Sequence, residues 1–334
     1  MKKILTIGLI AAASYAAEGY KVVGKIQIGG AGSWDYIAID NVNRRLYASH
    51  NNEVDIVDPD AGKMIGKISD LHGVHGIAIA NDLNKGFITN GSSNSVTIFD
   101  LKTFAKSGEP STDTGPDAVC YEPKTQHVFS INHRAGTSTA IDAKTGEVLV
   151  KAIPIGSNAE FCQVDGTGKV YVNIDSSNEV VEIDAASNKV TRRVSILPCE
   201  GPSGLAIDVK NKKLFSVCDK VMAITDIPSF KVVGTTDIGN GPDAAGFDST
   251  LGLAFSSNGQ TGTLSIVKLV NGKYQTVDTV PTEARARTMV VDEKTHKIYL
   301  PTAQFAPAPE PKPGEKKGRA TIVPESFHLV VVGR

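Results

Sequence analysis

The stretch GPDAVCYEPKTQHVFSINHRAGTSTAIDAKTGEVLVKAIP, residues 115–154, decides the fold. It holds four short apolar segments: DAVCYEP, HVFSIN, STAID and EVLVKAIP. Gly, Pro, Asn and Asp fill the gaps, and AKTG makes the turn between the last two. Branched and aromatic residues in short runs, bounded by turn residues, predict four strands of an antiparallel sheet. No helical periodicity is sustained along the chain.

The unit recurs. Seven tetrads begin on an aromatic and end on a polar or small residue: Tyr47-Ala-Ser-His50, Phe87-Ile-Thr-Asn90, Phe129-Ser-Ile-Asn132, Tyr171-Val-Asn-Ile174, Phe215-Ser-Val-Cys218, Phe255-Ser-Ser-Asn258 and Tyr299-Leu-Pro-Thr302. The aromatics lie 40, 42, 42, 44, 40 and 44 residues apart. Units of this length with four strands each are propeller blades. A lone blade exposes both of its apolar faces, whereas seven packed in a ring cover one another and leave no long sheet edge. The predicted fold is all-β: a seven-bladed β-propeller occupying residues 18–334. The last unit runs out one strand short. YKVVGKIQIG (20–29) resembles GKMIGKISD (62–70), the fourth strand of the first unit, so the N-terminal strand is expected to complete the seventh blade and close the ring.

The tetrads resemble the Tyr-Val-Thr-Asn pattern of the YVTN-repeat β-propellers, the exported YncE-like group. The resemblance covers all seven repeats. It implies the seven-bladed fold and little about chemistry, because related propellers include lactonases, a streptogramin-cleaving lyase, and binding or surface-layer modules.

Aligning the units yields a second series, the residue just before each innermost strand: Asp35, His75, Asp117, Glu160, Ser203, Asp243 and Arg287. One per blade, they are expected at the mouth of the central channel. Turn formers are unremarkable there, but His75, Glu160 and Arg287 are poor turn formers. His75, Glu160, Arg287 and Asp117 are therefore the candidate catalytic groups, with a His or carboxylate base and Arg stabilising an oxyanion. The four carboxylates invite a divalent cation, and oxygen ligands suit Ca²⁺ or Mg²⁺. No other cofactor is indicated. The strand turns at the tetrad ends belong to the same face. His50, Asn90, Asn132, His133, Asp219, Asn258 and Thr302 are expected to border the funnel with Asp35, Ser203 and Asp243. Trp34, the single Trp, reads either as a stacking surface or as a cap over the first blade. The expected partner is a small molecule or a protein on this face.

Cys199, in the loop LPCEGPSG, and Cys218 reach the same end of the fifth blade and are a candidate disulfide. The alternative is a thiol pair binding a soft metal with His50, His75 or His133. Cys120 and Cys162 point to opposite blade faces and could meet across neighbouring blades. They are read as buried thiols packing as small hydrophobes.

MKKILTIGLIAAASYAA (1–17) combines two lysines, a short apolar run and a small-x-small end, the pattern of a secretory signal peptide. Its apolar run is too short for a membrane span. The expected location is periplasmic or secreted, and the expected state is a monomer. In the last unit, AQFAPAPEPKPGEKKGRATIVPES (303–326) replaces a short turn on the funnel face. It is a candidate lid, with AQF and TIVPESF reading as ordered. Its Lys312, Lys316, Lys317 and Arg319 are candidates for attracting an anion.

Formal net charge is −1, with charges of both signs spread evenly, so nothing suggests nucleic-acid binding. There is no G-x-S-x-G elbow, H-E-x-x-H helix, phosphate loop or C-x-x-C-H haem motif, and the recurrent Trp of quinoprotein blades is missing. DPDAG (58–62) reads as a strand-connecting turn rather than a calcium loop.

Overall fold

The computed structural model describes residues 19–307 and 320–334. The expected signal peptide (1–17) and the four basic residues named in the insertion lie outside the described residues.

Seven four-stranded antiparallel sheets form a propeller. Blades 1 to 6 begin with the inner strands Trp34–Asp40, Val74–Ala80, Pro116–Glu122, Ala159–Val164, Leu205–Asp208 and Pro242–Asp248. In each, the chain moves outward one strand at a time. Blade 7 takes Val290–Asp292, Lys297–Thr302 and His328–Gly333 from the C-terminal part and Lys21–Gln27 from the N-terminal part. The N-terminal strand runs antiparallel to the C-terminal one, pairing Lys21 with Gly333 and Ile26 with Leu329. Closure thus follows the expectation from the short last unit.

The aromatic tetrad position marks the repeat because it fills the gap between blades. All seven aromatics are at most 1% exposed. Each core cluster spans neighbours: Tyr47 and Ile56 of blade 1 pack with Ile77, Ile88 and Phe99 of blade 2. A second periodic signal lies at the outer hairpins, where Asp58, Asp100, Asp142, Asp184 and Asp226 recur every 42 residues. Each carboxylate accepts hydrogen bonds from turn N–H groups two or three residues ahead, as Asp142 does from Lys144 and Thr145. Such turns satisfy donors the ladder leaves open.

The inner strands of blades 3 and 4 are joined by a disulfide between Cys120 and Cys162, with Cα atoms 6.2 Å apart. The reading of these two as free thiols is corrected: their opposite-facing strand positions confront each other across the blade interface. Cys199 and Cys218 are also bonded, with Cα atoms 5.4 Å apart. With both sulfurs in a disulfide they offer no thiolate, so the soft-metal alternative involving them falls away. The ends of the insertion form a two-stranded ribbon in which Phe305 pairs with Ile322. No helix among the described residues is long and apolar enough to cross a membrane.

The closing strand should contribute through its one buried side chain. Ile26 is 5% exposed, whereas Val22 is 39% exposed. Ile26→Ala is expected to destabilise the chain by about 2–5 kcal/mol and Val22→Ala by less than about 0.5 kcal/mol, read from guanidinium unfolding. Equal effects would contradict this closure.

Candidate functional site

The rim is built by a repeated irregularity. In blades 1 to 4 the first two strands lose register at the inner strand's start: Trp34 pairs with His50 but Ile37 with Ala48, Val74 with Asn90 but Ile77 with Ile88. The same slip follows Pro116 and Ala159. Two inner residues oppose one partner, which is a β-bulge, and bulges re-aim side chains. Asp35, His75, Asp117 and Glu160 occupy these bulges.

The third tetrad residue secures the bulge. Ser49 accepts from the Asp35 N–H (3.0 Å) and Thr89 from the Gly76 N–H (2.8 Å). It also reaches forward. Thr89 donates to the Asp117 carbonyl of the next blade, and Ser257 to that of Arg287. Asn173 donates to the Ser203 carbonyl (3.0 Å), and Thr288, outside the tetrads, donates to the Asp35 carbonyl (2.6 Å). The rim backbone is therefore tied across several blade junctions while the side chains turn to the axis.

Five rim residues from consecutive blades form one connected arc. Arg287 bonds Asp243 and also Asp35 Oδ1 (3.1 Å). Asp35 Oδ2 lies 2.6 Å from His75 Nδ1, which is 3.2 Å from Asp117 Oδ1. The other two do not join. Glu160 pairs with His133, its Oε1 3.1 Å from Nδ1, and Ser203 donates to the Pro242 carbonyl (3.0 Å). Of the four candidate catalytic residues, His75 and Asp117 touch, Arg287 reaches them through Asp35, and Glu160 stands apart.

The residue following each rim position sets the floor. These are Tyr36, Gly76, Ala118, Phe161, Gly204, Ala244 and Thr288. Most must be small: a Cβ on Gly76 would come within 2.7 Å of the Asp117 carbonyl, and one on Gly204 within 2.4 Å of Ala244 Cα. The two large ones meet across the axis. Tyr36 of blade 1 packs against Phe161 of blade 4 at 5.2 Å between ring centroids, and its hydroxyl donates to Asp117 Oδ2 at 2.7 Å. Below them runs a channel of about 810 Å³ lined by Ile37, Ile77, Val119 and Ile207. The pair lies between this channel, whose lining also includes Gln163, Lys210 and Glu293, and the polar cup. Sequence reading missed Tyr36 and Phe161, although the series just given carries the signal.

Several expected funnel residues are buried inside blades instead. Asn90, Asn132, Asn258 and Thr302 are fully buried. Each Asn amide donates to hydroxyls on the neighbouring strand, as Asn132 does to Thr137 and Thr139. Thr302 donates to the Ala284 carbonyl. His50, 2% exposed, is held by buried Asp55 at 2.8 Å. These are corrections: a polar tetrad end satisfies the hairpin's own polar groups. Asp219 lies exposed in the turn after Cys218. Trp34 is only 8% exposed and stacks on Phe327 at 5.6 Å with Phe305 at 5.9 Å, so it caps the blade 1–7 seam.

Its edge nonetheless bounds a cavity of about 630 Å³, with Phe305, Ile322 and Pro242 as apolar wall and Asp243, Gln260, Arg285 and Arg287 as polar lining. Arg285 lies over the Phe305 ring, 3.7 Å from its centroid. Phe305 and Arg285 were not singled out in the sequence, and no periodic position marks them.

Burial pushes the Asp117 carboxyl up to about 6, the Asp35 charge adds to this, and His75 opposes it. Burial acts against the His75 cation, but the hydrogen bond to Asp35 and the two negative charges outweigh it, so its pKa is raised. Tyr36 is held well above the usual phenol range by burial and by Asp117, and stays a donor. Hydrogen bonding to Glu160 raises His133 to about 9. Among the described residues, two groups of three could hold a cation, their ligand atoms within 4.8 Å of one another: Asp35, His75 and Asp117, and His50, Glu53 and Asp55.

This geometry belongs to a seven-bladed β-propeller, and known structures share it. The chain resembles a chain of Kuenenia stuttgartiensis hydrazine synthase (17% identity, TM-score 0.69, 84% of this chain and 96% of that one). It also resembles a chain of a mitotic checkpoint complex (12% identity, TM-score 0.68, 90% and 93%). Likeness at these identities shows the fold alone. No family model matches the chain, and no curated protein matches it.

The His133–Glu160 pair has a direct test. A raised histidine pKa contributes stability that is complete below the unfolded value and lost as pH rises through about 9. In Glu160→Gln, an NMR titration of the His133 ring should move its pKa down towards the ordinary value of about 6.5. An unchanged midpoint would show that Glu160 is not the cause.

Proposed function

We propose that this chain is a binding protein for a small molecule held on the top face, at the cavity between Trp34, Phe305 and Arg287. The observation that carries this reading is the cavity itself. Its volume of about 630 Å³ suits a small organic ligand, and an apolar wall facing a few fixed polar groups is the usual make-up of such sites. Asp243 and Arg287 belong both to it and to the rim arc, so a ligand there reads rim charge directly.

Membership of the exported YVTN-repeat group is also part of this proposal, and it bears on fold and location rather than on the ligand. It rests on the seven tetrads and on residues 1–17, and two disulfides fit an oxidising compartment. Periplasmic or secreted location is part of this proposal.

A second reading is a lactonase-like hydrolase or lyase. One observation favours it: Asp117, at about 6, can accept or donate a proton near neutral pH and lies beside His75. Arg287 is the group in this arc fit to steady an oxyanion.

A single experiment separates the two. Small organic acids and small lactones are screened by the fluorescence of Trp34, with the compounds recovered afterwards. Binding predicts a hit returned unchanged, weakened at least about tenfold, or about 1.4 kcal/mol, by Phe305→Ala and by Arg287→Ala. Hydrolysis predicts an opened lactone and loss of turnover in Asp117→Asn. Hits indifferent to all three substitutions would overturn both readings.

A further inference from the structure

Asp35, His75 and Asp117 belong to three consecutive blades and are aimed at one point. Asp35 Oδ2 and Asp117 Oδ1 converge on His75 Nδ1, at 2.6 and 3.2 Å. The remaining carboxylate oxygens are fixed from outside the trio: Arg287 donates to Asp35 Oδ1 and Tyr36 to Asp117 Oδ2. Outer partners of this kind orient metal ligands and set the free lone pairs inward. The imidazole also has a made place. A Cβ on Gly91 would lie 2.8 Å from its Cδ2 and Nε2, so the glycine leaves room for the ring.

Two carboxylates aimed at one nitrogen favour positive charge between them, either a proton on the imidazole or a metal ion in its place. We propose that the trio binds a divalent transition-metal ion of the zinc class, with one imidazole nitrogen, two carboxylate oxygens and a position open to the funnel. On binding, the metal takes the Nδ1 lone pair, and any proton there passes to solvent. An imidazole ligand suits zinc, copper, iron or nickel better than the hard cations Ca²⁺ and Mg²⁺, which revises the metal expected from the carboxylates alone. The site stands on the inner-strand bulges and does not depend on a ligand in the neighbouring cavity.

The test uses the full chain, washed free of metal with a chelator and titrated with zinc chloride by calorimetry. One zinc per chain is expected, with an X-ray absorption edge fitted by one nitrogen and two or three oxygens at about 2.0–2.2 Å. His75→Ala and Asp117→Asn should each weaken binding by more than about tenfold. Gly91→Ala, which removes no ligand, should weaken it by about 10–100-fold. Glu53→Gln, in the second candidate trio, should change nothing. Thermal unfolding of each variant reports whether it is folded, and the isosteric Asp117→Asn and the small Gly91→Ala keep the test decisive if His75→Ala misfolds. No binding up to about 1 mM zinc, or binding that Asp117→Asn and Gly91→Ala leave intact, overturns the proposal.

Discussion

Everything at the rim depends on closure of the ring by the first strand. Lys21–Gln27 hydrogen-bonds to His328–Gly333 and so holds blade 7 between blades 6 and 1. Two charge pairs then span the blade 1–7 seam. At the base, the Arg44 guanidinium grips the fully buried carboxylate of Asp292 through both of its oxygens, at 3.0 and 2.7 Å. Burial alone would raise the Asp292 pKa, yet Arg44 holds it below the usual carboxylate range. At the top, Arg287 of blade 7 reaches Asp35 of blade 1. A buried ion pair adds little net stability, but losing one partner leaves a costly unpaired charge.

Closure then sets the charge pattern of the cup. Arg287 lies between Asp243 and Asp35, and His75 between Asp35 and Asp117, so a nitrogen base separates each pair of carboxylates along five blades. Arg287 and His75 each restrain two carboxylates. Tyr36 fixes the end of the arc and packs on Phe161 between the cup and the channel. Asp117 is the group left least compensated, with burial and the neighbouring Asp35 charge both raising it.

The fold was legible because its signals repeat. An aromatic between blades and an Asp at five of the outer hairpins follow from packing and turn chemistry that recurs every 40–44 residues, and a last unit one strand short follows from the same count. The rim series was legible for the same reason. Pairings across the ring were not, since they join residues from different repeats. Nothing in the order of residues says that Arg287 meets Asp35 or that Glu160 chooses His133, and the superposed repeats allow Cys120 and Cys162 to meet without saying that they bond. The tetrad ends misled because a polar residue near an opening reads as a lining group. Asn90, Asn132 and Asn258 instead satisfy buried strand hydroxyls. The cavity wall lay beyond reach because Phe305 and Ile322 belong to the one segment that breaks the repeat.

The central claim is that the top face carries a preformed small-molecule site at the seam between Trp34, Phe305 and Arg287. The most direct measurement is a crystal structure of the protein as purified, without chelator or added ligand, with difference density examined in that cavity. The account predicts an open cavity of about 630 Å³ holding non-protein density against Arg287 and the Phe305 wall. A Phe305–Ile322 ribbon collapsed onto Trp34, filling the space with protein, would contradict it.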